Sequence, residues 1–162
     1  MAHPPATLHL LCGKIAAGKS TLAARLAEAP ATVLLSEDRL LARLYPGEIE
    51  DIADFARVSR RLCAAIGPHI QALLRAGVSV VLDFHASTVE RRAWMKGLLE
   101  GTGADHALHY LRRDDATCKA HLRARNAAGS HEYVVSDAEY DLFTSYFVEP
   151  TEAEGLRLVI HD

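Results

Sequence analysis

No apolar run in these 162 residues approaches the ~20 that a helix needs to cross a bilayer, so a membrane span is excluded. The opening stretch MAHPPATLHLL has no basic segment ahead of its short apolar run. No secretory leader is therefore expected, and the cytoplasm is the expected compartment. Cysteine is scarce: Cys12, Cys63 and Cys118 are odd in number, far apart and unpatterned, which predicts reduced, buried thiols rather than disulfides. Nine histidines are present, yet none forms HExxH or stands at a paired Cys/His spacing, so a catalytic zinc is not expected. Positive charge is not in excess. With 18 Lys and Arg against 21 Asp and Glu the net charge is -3, so no global field gathers polyanions, although a local basic groove could. Repeats, low-complexity tracts and linkers are also absent, and a single domain over residues 1–162 is expected.

What is present is an alternation of two periods. Buried strands are predicted at Thr7–Cys12, Thr32–Leu35, Val78–Phe84, Ala107–Leu111 and from Leu156 to the end, the last at an edge. Helical patterns cover Lys19–Ala29, Ile49–Ile66, Pro68–Arg75, Glu90–Glu100, Asp114–Ala127 and Asp137–Phe147, with a break expected at Gly67 and Pro68. This alternation implies a parallel, doubly wound α/β sheet that binds ligands beyond the carboxyl ends of its strands.

The strongest motif is GKIAAGKST, residues 13 to 21. Gly13, Gly18, Lys19 and Ser20 complete the phosphate-loop pattern GxxxxGK[ST] between a strand and a helix. The loop backbone through Lys14, Ala16 and Ala17 would form an anion nest at a helix N-terminus, with Thr21 beside it. Lys19 would hold the β and γ phosphates of ATP, and the Ser20 hydroxyl would ligate Mg2+. Asp83, closing VVLD, stands where a second carboxylate orients that ion. Phe84 occupies the place where ring-forming ATPases commonly keep a water-activating glutamate, so transfer to a bound acceptor is the better expectation.

LLSEDRLL, residues 34 to 41, places Asp38 on the acceptor side, where an ionised carboxylate can take a hydroxyl proton. The competing role there is helix N-capping, by Ser36 or Asp38. HLRARN, residues 121 to 126, offers Arg123 and Arg125 to the developing phosphoryl charge, a role worth ~10³ to 10⁵ in rate. His85, Arg39 and Arg92 are further candidates for the acceptor pocket, and the amphipathic stretch 51–77 for its roof.

With the phosphate loop, SEDR, VVLDF and RARN, the chain resembles the small bacterial kinase-like ATP-binding proteins of the AAA_33 type. These are related to polynucleotide 5′-hydroxyl kinases, zeta-type toxins, chloramphenicol phosphotransferase and gluconate kinase. YFVEPTEAEGLRLVI, residues 146 to 160, is similar to a segment that precedes the last strand in that family. The resemblance implies a three-layer αβα P-loop NTPase fold with five parallel strands in the order 2-3-1-4-5. It assigns Gly13, Gly18, Lys19, Ser20 and Thr21 to ATP and magnesium, Asp38 to the acceptor, Arg123 and Arg125 to a lid, and Glu149 to Thr151 to the border of the nucleotide base. The chain departs from polynucleotide kinases at Leu41, where they keep a phosphate-binding arginine, and Lys14 stands where proline or serine is commoner. The expected activity is transfer of the γ-phosphoryl group of Mg-ATP to a hydroxyl of a small molecule. A polynucleotide 5′-kinase, with nucleic acid as partner, is one alternative; a nucleotide-binding regulator or slow ATPase is the other.

Overall fold

The computed structural model describes residues 4–129, 131 and 133–162, so the first three residues of the segment read for a leader lie outside it. Five strands form one parallel sheet: β1 (Thr7–Cys12), β2 (Thr32–Ser36), β3 (Ser79–Asp83), β4 (Asp105–Leu111) and β5 (Leu158–His161). Their order is β2-β3-β1-β4-β5. Between them run α1 (Lys19–Leu26), α2 (Glu37–Leu44), α3 (Ile52–Arg75), α4 (Val89–Gly97), α5 (Asp115–Ala128) and α6 (Asp137–Ser145), and a 3-10 turn at Glu152–Glu154 precedes β5. The expected sheet and strand order are both found, with β5 short and at the edge.

Alternation along the strands explains why both faces need cover. Leu8, Leu10 and Cys12 of β1 and Val80 and Leu82 of β3 pack with Leu41 of α2, Val58, Leu62 and Ile70 of α3 and Met95 of α4. Leu11 and Val81 point the other way, onto Leu22 and Ala23 of α1, Cys118 and Leu122 of α5 and Tyr140 of α6. All three cysteines are buried and reduced, as expected.

The expected break at Gly67 and Pro68 does not occur, because α3 runs unbroken from Ile52 to Arg75 with Pro68 inside it. A proline in a helix costs about 3 kcal/mol. On either side of it α3 buries Val58, Leu62, Ile70 and Leu74, each worth about 1.5 to 3 kcal/mol, so the apolar face outweighs the lost backbone bond. Gly67 is buried where a Cβ would lie 3.6 Å from Leu98 Cδ2, while Pro68 is exposed and puts its ring in solvent.

Two features of the sheet bear on the site. The last rung of the β2–β3 ladder pairs Ser36 with Asp83. On the outer half, His9, His109 and His161 form a ladder of imidazoles, with ring nitrogens 3.1 Å apart between His9 and His109 and 3.0 Å apart between His109 and His161.

Candidate active site

The carboxyl edge of the sheet opens into a cleft of about 1800 Å³. Its floor is the loop between β1 and α1. Gly13 is required there by space, since a Cβ would lie 2.9 Å from the Leu111 carbonyl oxygen. Gly18 is required by conformation, with φ of 101° at the N-cap of α1. Ala16 also has positive φ, 61°, a left-handed position that costs a non-glycine residue about 1 to 2 kcal/mol.

α1 differs from the other helices in how it begins. Ser36, Asp51, Thr88, Asp114 and Ser136 each cap their helix with a side-chain oxygen, whereas Gly18 offers α1 none. The first N–H groups of a helix have no partner within it, so here they open onto the cleft with the positive end of the dipole behind them. Lys19, partly buried, donates to the carbonyls of Gly13 (2.8 Å) and Lys14 (2.7 Å). Burial lowers its pKa, and the carboxylates of Asp83 and Asp38 oppose that shift. An ammonium has three N–H bonds, so one remains for a phosphate oxygen.

The Ser20 hydroxyl donates to Asp83 Oδ2 at 2.8 Å, and burial raises the Asp83 pKa against the pull of Ser20 and Lys19. Among the described residues no three His, Cys, Asp or Glu side chains are placed to hold a metal together. One hydroxyl beside one carboxylate still fits Mg2+, which takes few protein ligands and fills its octahedron with water and phosphate oxygens.

Lys14 acts outside the cradle: its ammonium pairs with Asp115 Oδ1 at 2.7 Å, and Tyr140 OH donates to the same oxygen at 2.8 Å. His121 Nδ1 lies 3.2 Å from the Ala16 carbonyl. The loop is thereby tied to α5 on one flank, a fastening that the motif itself does not disclose.

On the far wall, Ser36 caps α2 by accepting from the Arg39 amide at 3.4 Å, which leaves the Asp38 carboxylate to the cleft. Asp38 Oδ2 lies 3.3 Å from His131 Nε2. Its neighbour Glu37 turns inward and is only 2% exposed. Glu37 Oε2 accepts from Ser59 Oγ of α3 at 2.7 Å and from Arg91 Nη1 of α4 at 3.0 Å. Glu37 Oε1 accepts the His85 amide at 3.4 Å. Burial, together with the Arg91 and Lys19 cations, pushes the His85 pKa down to about 4, although the Glu37 and Asp38 carboxylates favour protonation. Phe55, 5.7 Å from the His85 ring, and Trp94 complete this wall.

Most of the expected residues meet here: the loop from Gly13 to Thr21, Asp38, Asp83, His85 and Arg125 all line the cleft. Four do not. Arg92 was expected in the acceptor pocket, but it is fully buried behind it, donating to Glu154 Oε1 (2.7 Å), Glu154 Oε2 (3.2 Å) and the Ala86 carbonyl (2.7 Å). It borders a separate cavity of about 580 Å³ beside α4. Thr151 is exposed outside the cleft, its amide donating to Glu154 Oε2 at 2.9 Å. Arg39 is exposed on α2 away from the cleft lining, and Arg123 points out to Asp137 Oδ2 at 2.6 Å. Sequence reasoning missed Glu37 and Ser59, and it favours plain surface over the acceptor pocket for Arg91, whose hydrogen bonds place it in the buried cluster instead. The available signal was Ser59, a hydroxyl on the apolar stripe of α3 between Val58 and Leu62, which asks for a buried polar partner.

A family model of the AAA domain type, AAA_33, matches residues 8–150. The chain belongs to the AAA_33 family. This AAA_33 protein also shares its fold with solved structures. A candidate kinase from Chloroflexus aurantiacus is similar at 21% identity over 99% of this chain and 87% of its own, with a TM-score of 0.75. A sugar kinase from Janibacter is similar at 16% identity over 98% and 86%, with a TM-score of 0.65. The APS kinase CysC of Mycobacterium tuberculosis, solved with AMPPNP and APS, is similar at 23% identity over 78% and 76%, with a TM-score of 0.55. No curated protein matches the chain. No helix among the described residues is long and apolar enough to cross a membrane.

Proposed function

We propose that this AAA_33 protein is an ATP-dependent phosphotransferase that moves the γ-phosphoryl group to a hydroxyl of a small-molecule acceptor. The observation that carries this reading is the joint placement of the phosphate cradle, the Ser20–Asp83 pair and the Asp38 carboxylate on the walls of one cleft. The uncapped start of α1 and Lys19 hold the β and γ phosphates. Ser20 and Asp83 would hold Mg2+, which, when bound, would neutralise charge on the phosphates. Asp38 aligns the acceptor hydroxyl and takes its proton as the oxygen–phosphorus bond forms and the β–γ bridging bond breaks, releasing ADP. Arg125, on the cleft wall at the end of α5, faces the transferred group; Arg123, paired with Asp137, does not. Phe55 of α3 and Trp94 of α4 give the acceptor side of the cleft an apolar lining.

The test is ADP formation from Mg-ATP across a panel of metabolites, antibiotics and 5′-hydroxyl oligonucleotides. Lys19→Ala is expected to lower turnover by about 10²-fold or more, the scale of removing one charge-stabilising donor. Asp38→Asn is expected to leave ATP affinity nearly intact and to cut transfer by about 10²- to 10⁴-fold. Unchanged transfer in the Asp38 variant removes it as the base. Phosphorylation of the oligonucleotides alone replaces the small-molecule reading with a polynucleotide one.

A further inference from the structure

The acceptor wall contains one hydrogen-bonding group whose polarity is dictated by its neighbours. The two terminal nitrogens of Arg91 carry four N–H bonds, and each has its own acceptor. Nη1 donates to Glu37 Oε2 at 3.0 Å and to Cys63 Sγ at 3.1 Å. Nη2 donates to Ser59 Oγ at 2.5 Å and meets His85 Nε2 at 2.9 Å. A guanidinium is always protonated and has no lone pair to give, and the facing carboxylate oxygen, Glu37 Oε1, lies 3.9 Å from Nε2, beyond hydrogen-bond reach, so His85 Nε2 is the bare nitrogen of its ring. The ring proton then sits on Nδ1. The cluster cannot relax this choice easily: Glu37 is 2% exposed and Ser59 fully buried, and each uses its oxygens on the others. The Arg91 and Glu37 charges cancel within it. No hydrogen bond among the described residues uses His85 Nδ1, and the side chain lines the cleft that also holds Asp38.

We propose that His85 is a fixed hydrogen-bond donor to the acceptor, locked as the Nδ1–H tautomer by Arg91, and that it takes no part as a base. The donor role rests on the phosphotransferase reading; the tautomer does not. Its bare nitrogen is covered by a cation and its other nitrogen already bears a proton, so abstraction of the hydroxyl proton stays with Asp38. The group that fits opposite an N–H is an oxygen with a free lone pair. The acceptor is therefore of the class that carries a second oxygen close to the hydroxyl that is phosphorylated: a diol, a sugar or a hydroxycarbonyl compound. A compound with an ammonium group in that place would set donor against donor.

The experiment is a long-range proton–nitrogen spectrum of the full chain labelled with 15N-histidine, with His85 assigned by the signals lost in His85→Asn. The expected wild-type result is a protonated Nδ1 and a bare Nε2, the reverse of the form that predominates in free histidine. Arg91→Met is expected to release the ring to the Nε2–H form. If that variant does not fold, the wild-type spectrum decides alone. An Nε2–H ring, or two forms in exchange, in the wild type overturns the proposal whether or not the chain transfers phosphate. With an acceptor found by the panel, His85→Ala is expected to raise the acceptor KM roughly tenfold with little change in kcat. His85→Asn, whose amide stands where Nδ1 stood, is expected to restore most of it. Equal losses in the two variants overturn the donor role while leaving phosphotransfer standing, and absence of transfer to every hydroxyl with the Nδ1–H ring confirmed counts against the phosphotransferase reading instead.

Discussion

The two sides of the cleft are built by different means. The phosphate side is mostly backbone: a six-residue loop that begins and ends on glycine, and a helix that begins without a side-chain cap. The acceptor side is mostly side chain, with Glu37, Ser59 and Arg91 brought from three helices into one buried cluster behind Asp38 and His85. Backbone devices are local and tolerate almost any flanking residue. Side-chain clusters depend on partners far away along the chain and can be rebuilt for a different ligand without disturbing the loop. On the proposed reading, one side is thus generic to phosphate and the other particular to an acceptor.

That contrast can be broken or sharpened by substitution. The largest effects are the losses of turnover expected of Lys19→Ala and Asp38→Asn, with ATP affinity, read by calorimetry, falling only in the first. Next is Glu154→Ala, which strands the fully buried Arg92 guanidinium and is expected to cost about 3 to 5 kcal/mol in denaturant unfolding. If Arg92 belongs to the frame, the folded fraction of that variant keeps its acceptor KM; a raised KM with unchanged stability would return Arg92 to the acceptor side. Gly13→Ala forces a methyl against the Leu111 carbonyl and is expected to cost about 1 to 3 kcal/mol while weakening nucleotide binding.

Part of the pH dependence of stability comes from outside the cleft, from His109 on β4, beside the part that His85 contributes within it. Burial, then the neighbouring His9 and His161 rings and Arg157, holds the His109 pKa down to about 4. An unfolded chain takes up that proton near pH ~6.5, the folded one only near 4, so stability present at neutral pH is lost as pH falls through this window. His109→Phe is expected to flatten part of that slope in thermal melts between those values. The smallest effect is Ala16→Gly, which relieves the positive φ of the loop and is expected to change stability by no more than about 1 kcal/mol.

The same division explains what could be read without coordinates. The strands, the loop and Asp83 were legible because each is a local pattern: a short apolar run, a fixed glycine spacing, an acid at a strand end. Pro68 misled because a breaker is a local signal, while the reason it is tolerated, an apolar face buried on both sides of it, is tertiary. Arg91 and Arg92 are adjacent and of one type, and only the α4 phase turns one to the cleft cluster and the other to Glu154. Glu37 and Asp38 pose the same problem in α2. Nothing in SEDR says which acid faces inward; Ser59, 22 residues downstream of Glu37, makes that decision.

The rung that joins Ser36 to Asp83 serves as a ruler across the cleft. Asp38 lies two residues beyond one end of it and His85 two residues beyond the other, so the separation of these two side chains is inherited from a sheet repeat. Inserting one residue between Ser36 and Glu37 would shift the start of α2 by about 100°, bringing Glu37 to the post of Asp38 and carrying Asp38 on to that of Arg39. A chain so altered would keep its phosphate loop, and yet present an acid one methylene longer at the post of Asp38 and none inside the Ser59–Arg91 cluster.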